Sequence, residues 1–93
     1  MEIRVNQGYV IVSSVHIGES EIVLGVNTNA PSQYVTWMCN NHSDYYWGHY
    51  FSDQFAAEKD LIARAQQEIR FVEQQRGGQS EKAKPVKDRG RER

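Results

Sequence analysis

Residues 44–53 most constrain how this chain folds. They read Asp-Tyr-Tyr-Trp-Gly-His-Tyr-Phe-Ser-Asp, so six aromatic-type side chains, counting His49, fall within seven positions. Successive side chains of a strand point to opposite faces of a sheet, which places large rings on both faces here. The segment then runs into the only long helical pattern of the chain. It therefore predicts an aromatic strand, residues 45–51, followed directly by a helix.

Three further strands are predicted before the aromatic strand. Residues 8–17 are rich in β-branched side chains, residues 21–26 return after a short turn, and residues 34–40 follow a polar loop. Runs of this kind between turn-forming residues are typical of β-strands. Residues 1–5 are expected to precede or extend the first strand. Because the connections are short, consecutive strands are predicted to pair antiparallel as a meander.

The helical pattern begins after the aromatic strand and ends near residue 75. Ser52 is predicted as the N-cap and Asp53 as an acidic residue of the first turn, where the helix dipole favours negative charge. Asp60 and Arg64 are spaced i, i+4 and are predicted to pair. One apolar stripe is predicted from Phe55, Leu61, Ile62, Ala65, Ile69 and Val72. The fold class is therefore α+β: an antiparallel four- to five-stranded meander sheet packed on one C-terminal helix.

Charge divides the chain into two parts. Residues 1–75 contain four basic and nine acidic residues, a net charge of −5, and are predicted to form a compact domain. Residues 76–93 contain seven basic and three acidic residues, a net charge of +4, and are predicted to form a disordered basic tail. Such an asymmetry often marks interaction surfaces, although a solvated tail on an acidic domain is the simpler explanation.

One helix covers one face of a sheet, yet both faces of this sheet are predicted to be apolar. Strict alternation places these aromatic-strand residues on one face: Tyr45, Trp47, His49 and Phe51. It places these on the other: Tyr46, Gly48 and Tyr50. In the first strand, Tyr9, Ile11 and Val15 are predicted to share a face. The face without a helix is covered by loops, by the N-terminus or by a second copy, or it binds a different molecule.

Aromatic residues on that face favour a protein partner. Tyr and Trp are enriched in protein interfaces, and they also stack on the bases of single-stranded nucleic acid. A nucleic-acid platform needs Lys or Arg among its aromatics, and residues 34–40 and 45–51 contain neither. The predicted partner-binding anchors are Trp37, Tyr46, Trp47 and Tyr50.

A metal site or a catalytic site is the weaker hypothesis. Cys39-x-x-His42, with Asp44 and His49 nearby, supplies metal-ligand types but not the paired motif usual for zinc. Cys39 beside a histidine also resembles a nucleophile with its base. One cysteine and three histidines in 93 residues make such neighbours unsurprising. The sequence therefore predicts no metal, no cofactor and no enzymatic activity.

Several segments together carry a family resemblance. They are residues 8–11, 23–25, 30–32, 34–37 and 46–53, with Ala57, Asp60-Leu61 and Arg64-Ala65. Between residues 8 and 72 the chain resembles small accessory proteins of conjugative and other mobile elements of Gram-positive gut bacteria. The resemblance transfers no catalytic residue. It implies a context in which small proteins disarm host defence, anti-CRISPR inhibitors among them.

The leading hypothesis is a non-enzymatic protein-binding module of a mobile element that inhibits a Cas nuclease. In it Glu19, Glu21 and Asp44 replace phosphate charge in a basic groove. The second hypothesis is a nucleic-acid-binding accessory protein. Its tail would hold phosphates through Lys82, Lys84, Lys87, Arg89, Arg91 and Arg93.

The third hypothesis is a structural homodimer whose function lies with another protein. The expected location is the cytoplasm. No apolar run is long enough to span a membrane, no signal peptide is recognised, and Cys39 has no second cysteine with which to form an internal disulfide.

Overall fold

Residues 3–77 are described by the computed structural model, and they form five strands and one helix. The strands and the helix are β1 (Val5–Asn6), β2 (Tyr9–Ile17), β3 (Ser20–Val26), β4 (Tyr34–Asn40), β5 (Asp44–Phe51) and α1 (Gln54–Gly77). Neighbouring strands are antiparallel, and their order in the sheet is their order in the chain. The predicted α+β meander with a C-terminal helix is confirmed. The tail residues predicted to hold phosphates lie outside the described residues.

A β-bulge in β2 changes which of its side chains share a face. The pairing with β3 shifts by one residue between Ile11 and Ser13. An extra residue in one strand inverts the alternation beyond it. Tyr9 and Ile11 therefore pack on the face without the helix, whereas Val15 packs against the helix. The prediction that Tyr9, Ile11 and Val15 share a face is wrong for this reason.

A second bulge lies in the aromatic strand. Thr36 pairs with His49 and Met38 pairs with Tyr46, so two residues of β5 oppose Trp37. As a result Tyr45 and Tyr50 lie on the face of Trp37. Tyr46 and Phe51 pack on the helix side. The predicted division of the aromatic strand into two faces is therefore wrong.

Gly48 is the residue that makes this bulge possible. A Cβ atom at position 48 would lie 2.7 Å from Nε1 of Trp37, which is closer than any real contact. A glycine within a strand often marks a bulge or a close approach of another group. The signal for the bulge was therefore present in the sequence, although strict alternation overlooked it.

The core between sheet and helix is built from aliphatic strand residues and small helix residues. Ile22, Leu24 and Met38 pack against Ala57, Leu61 and Ala65. Each residue of a helix is rotated by about 100° from the one before it. Phe55 therefore points about 200° away from Ala57 and lies outside the helix face that packs on the sheet. Phe55, Ile62 and Ile69 are exposed, contrary to the predicted stripe. Leu61 and Ala65 are buried and Val72 is half-buried, as predicted.

Trp37, on the face without the helix, is covered by the domain's own side chains. Trp37 is only 3% exposed and packs with Tyr9, Val23 and Val35. Three tyrosine rings surround its indole at centroid distances of 5.6–6.2 Å, those of Tyr9, Tyr45 and Tyr50. Ala30 of the loop between β3 and β4 packs against this cluster, and the Tyr9 hydroxyl donates a 2.6 Å hydrogen bond to the Ser32 carbonyl of the same loop. Its burial removes Trp37 from the predicted surface anchors.

The N-cap of the helix lies one residue later than predicted. The Ala56 amide donates a 3.0 Å hydrogen bond to Oδ2 of Asp53, so Asp53, not Ser52, is the N-cap. We expect Asp53→Ala to lower the free energy of unfolding by about 1 kcal/mol, because an orphan helix amide loses its acceptor. Ser52→Ala serves as the matched control, with a change below about 0.5 kcal/mol. Equal effects in urea denaturation would contradict this assignment.

Candidate functional site

A groove of about 670 Å³ lies between β5 and the C-terminal half of α1. Tyr46 and Trp47 line it from the strand, and Gln67 and Phe71 line it from the helix. The nearly buried side chain of Met38 also lines it. The groove is therefore mainly apolar, with aromatic rings contributed by both elements.

Trp47 is the most exposed aromatic residue at this groove. Its side chain is 74% exposed, and its backbone is left-handed with φ of 54°. A bulky residue in this region is strained by about 1–3 kcal/mol. The bulge at residues 47–48 imposes that conformation and turns the indole outward, with its ring centroid 5.0 Å from that of Tyr46. The sheet thus presents an exposed indole beside an aromatic neighbour.

Arg64 holds the bulge from the helix side. Its Nη2 donates a 2.5 Å hydrogen bond to the Trp47 carbonyl, and its side chain is only 8% exposed. Nε of Arg64 lies 3.4 Å from Oδ2 of Asp60, which confirms the predicted i, i+4 pair. Burial lowers the pKa of Arg64 below its ordinary value, although the Asp60 charge opposes this. The strained tryptophan is thus fixed by a buried guanidinium.

Asp60 is the acceptor on which this network converges. Its Oδ2 accepts a hydrogen bond from the Thr36 hydroxyl at 2.5 Å and lies 2.9 Å from Nδ1 of His49. That nitrogen donates to Asp60 when it carries the proton, and it accepts from Nε of Arg64 at 3.1 Å when it does not. Burial raises the pKa of Asp60, but these hydrogen bonds and the nearby cations outweigh it and leave the pKa lowered. The carboxylate is therefore ionised at neutral pH and balances the Arg64 charge.

One donor of this network has no acceptor. Nη1 of Arg64 is buried, and no hydrogen-bond partner exists for it within residues 3–77. A buried donor without a partner costs about 1–3 kcal/mol. Because Arg64 also lines the groove, this donor is the least satisfied group of the site.

A second polar cluster surrounds Glu21 on the other face. Its two oxygens accept hydrogen bonds from Nη1 and Nη2 of Arg4 at 3.2 and 2.6 Å, and Glu21 is 4% exposed. His16 and His42 lie 3.6 and 3.7 Å from the same carboxylate. The prediction that Glu21 faces a partner in place of phosphate is therefore wrong, since the carboxylate is buried and already paired.

Cys39 is buried beside this cluster, and burial raises the pKa of its thiol. A thiol with a raised pKa is a poor nucleophile at neutral pH. Within the part of the chain that the structure describes, no three His, Cys, Asp or Glu side chains converge in a geometry that could hold a metal ion.

Acid is expected to destabilise the domain through Glu21 and Asp60. Burial raises the pKa of Glu21, but the Arg4 hydrogen bonds and charge outweigh it, so both carboxyls have pKa values below the ordinary 4.5 and 3.8. A lowered folded-state pKa gives stability that is present above the unfolded value and lost as pH falls through the folded one. We therefore expect the free energy of unfolding to fall progressively below about pH 4.5.

Glu21→Gln tests this origin of the acid sensitivity. It is expected to reduce the dependence of the free energy of unfolding on pH in acid. At pH 7 it should lower that free energy by about 1–2 kcal/mol, less than the loss of a fully buried ion pair, because Arg4 contacts water. Glu19→Gln is the matched control, since Glu19 is exposed. An unchanged slope in Glu21→Gln, measured by urea denaturation from pH 2 to 7, would refute the assignment.

The fold places the predicted anchor residues and acidic residues on different parts of the surface. Tyr46 and Trp47 line the groove, whereas Tyr50 lies on the opposite sheet face, partly exposed. Glu19 lies in the β2–β3 turn and Asp44 begins β5, and both are exposed. In an antiparallel meander these two connections lie at the same end of the sheet.

Sequence reasoning missed the roles of Arg64 and Phe71. The sequence predicts Arg64 as the i, i+4 partner of Asp60 and as part of the family resemblance, and it does not single out Phe71, although both line the groove. The signal for Arg64 was Gly48, because a bulge there brings the Trp47 carbonyl to the helix.

Comparison with known proteins identifies no relative: no family model, no curated protein and no solved structure matches this chain. Within residues 3–77, no helix combines the length and the apolarity needed to cross a membrane.

Proposed function

We propose that this chain is a non-enzymatic protein-binding module whose contact surface is the groove between β5 and α1. The observation that carries the proposal is Trp47, which is 74% exposed on a left-handed backbone. Burial of the indole does not compensate for the strained backbone, because most of the ring is exposed to solvent. Strained residues held by their surroundings cluster at functional sites, and Trp is enriched among interface hot spots.

The charge of the domain favours a basic partner surface. Residues 3–77 contain five basic and eight acidic residues, a net charge of −3 with neutral histidines. Glu19 and Asp44 extend this charge to the exposed turns at one end of the sheet. Complementary charge speeds encounter and excludes wrong partners. The acidic surface therefore supports a partner with a positively charged binding groove.

The specific form of the proposal is that the partner is a Cas nuclease and that the module belongs to a mobile element. The sequence resemblance and the acidic domain support it. Glu19 and Asp44 then occupy phosphate positions in the nuclease's basic groove, with Trp47 as the apolar anchor. Glu19→Lys combined with Asp44→Lys should weaken inhibition and reduce its salt dependence. Unchanged inhibition would remove phosphate mimicry from the proposal.

The experiment is a pull-down from Gram-positive lysate with the full chain, read by mass spectrometry before and after nuclease treatment. Trp47→Ala is the test variant. Phe55→Ala is the matched control, because Phe55 is also exposed but lies on the other side of the helix. We expect a protein that survives nuclease treatment, is retained by Phe55→Ala and is lost with Trp47→Ala.

Each other outcome selects a different hypothesis. Proteins that disappear after nuclease treatment, and that also disappear when residues 76–93 are deleted, would favour the nucleic-acid-binding accessory protein. Recovery of this chain alone would favour the structural homodimer. A partner that Trp47→Ala retains would place the contact surface outside the groove.

A further inference from the structure

The unpartnered Nη1 of Arg64 indicates what the groove occupant must supply. This atom is buried without an acceptor in residues 3–77, while Nη2 of the same guanidinium is bound to the Trp47 carbonyl. Buried donors in folded proteins almost always have a partner. An occupant that brings an oxygen atom to Nη1 would satisfy this donor, and the groove is the opening that Arg64 lines.

The charges around Arg64 favour a neutral oxygen over a carboxylate. Asp60 lies 3.4 Å from Nε of Arg64 and already balances its charge. Glu68 lines the same groove, where its Oε2 accepts a 2.8 Å hydrogen bond from the Ser20 hydroxyl. The groove and its immediate surroundings thus carry two carboxylates and one guanidinium. An added carboxylate would be repelled, whereas a main-chain carbonyl would not.

The remaining lining favours an apolar side chain with basic neighbours. The aromatic rings of Trp47 and Phe71 and the side chain of Met38 line the groove and offer apolar contact. Glu68 within it, and Glu19 and Asp44 in the turns at the same end of the sheet, add negative charge. A segment with an apolar residue between two cations would match both features.

We propose that the groove binds an extended peptide segment of basic–apolar–basic sequence, with its apolar side chain against Met38 and a main-chain carbonyl on Nη1 of Arg64. This inference rests on the proposed function and names the partner chemistry of the same site. The lining side chains must part to expose Nη1.

The test uses three capped tripeptides and the full chain, followed by NMR. The probes are acetyl-Arg-Leu-Arg-amide, acetyl-Arg-Asp-Arg-amide and acetyl-Glu-Leu-Glu-amide. The resonances are the Trp47 indole Nε1–H and the Arg64 Nε–H. We expect the first peptide to shift both resonances. The aspartate peptide should bind at least about tenfold more weakly, since burial of a leucine side chain is worth that much. The acidic peptide should bind more weakly still.

Variants localise the response. Phe71→Ala and Trp47→Ala should each weaken binding of the leucine peptide at least about fivefold, since aromatic contacts are lost. Phe55→Ala should bind normally. If the aspartate peptide binds more tightly than the leucine peptide, the inference that a neutral oxygen satisfies Arg64 is wrong. If the acidic peptide binds more tightly than the leucine peptide, the inference that the flanking residues are basic is wrong. Absence of a shift at Arg64 would overturn the contact with Nη1.

Failure of this inference is distinguishable from failure of the proposed function. A partner captured through Trp47, together with no response to any of the peptides, would leave the binding module standing and overturn the groove chemistry. A specific response to the leucine peptide, with no Trp47-dependent partner in the lysate, would support the chemistry and count against the module as proposed.

Discussion

Trp47→Ala is expected to weaken binding of the protein partner by about 30- to 1,000-fold while leaving the domain folded. A tryptophan at the centre of an interface contributes about 2–4 kcal/mol on truncation to alanine. The Trp47 ring is mostly in solvent, so its loss should change the free energy of unfolding by less than about 0.5 kcal/mol. Binding is measured by calorimetry with the captured partner, and stability by urea denaturation.

Two control variants separate the ring from the fold. Phe55→Ala removes another exposed aromatic side chain outside the groove and should bind normally. Trp47→Tyr keeps an aromatic ring and should bind with an intermediate affinity. A loss of stability in Trp47→Ala as large as its loss of binding would show that the residue serves the fold rather than the interface.

Trp37→Ala is expected to lower the free energy of unfolding by about 3–5 kcal/mol. Trp37 is 3% exposed, and the rings of Tyr9, Tyr45 and Tyr50 pack around it. Small domains have total stabilities of about 5–15 kcal/mol, so such a loss removes much of the stability of this one. Urea denaturation followed by circular dichroism measures the change directly.

Trp37→Phe is the matched control for this cavity. It keeps a ring in the pocket, loses less buried area and should cost about half as much or less. A Trp37→Ala variant with normal stability but lost partner binding would contradict the buried position. It would return Trp37 to the set of surface anchors.

The two tryptophans show why the partner-binding residues were only partly predictable. Each lies in a strand and three residues from a tyrosine, Trp37 from Tyr34 and Trp47 from Tyr50. The sequence pattern therefore does not distinguish the two tryptophans. The pairing of β4 with β5 separates them: one residue of β4 opposes two of β5, so Trp37 is enclosed and Trp47 is turned outward. A one-residue irregularity of register inverts which face each later side chain occupies.

The helix shows the same limit. Its existence and its approximate bounds follow from apolar spacing, yet several residues that fit the spacing point to solvent. The buried face was selected by Ala57 and Ala65, whose small side chains let the helix approach Ile22 and Leu24 closely. Periodicity identifies candidate faces, whereas the shape of the opposing sheet surface selects among them.

The sequence by itself determined the number and order of the strands, their antiparallel pairing and the position of the helix. These features depend on local patterns and short connections, which neighbouring residues specify. Only the tertiary structure decided that Trp37 and Glu21 are buried, that Trp47 is exposed, and that Arg64 lies beneath it with one donor unused. Those outcomes depend on contacts between distant segments: Arg64 reaches the Trp47 carbonyl 17 residues away. Local pattern does not encode such contacts, because they exist only once the bulge and the helix have packed together.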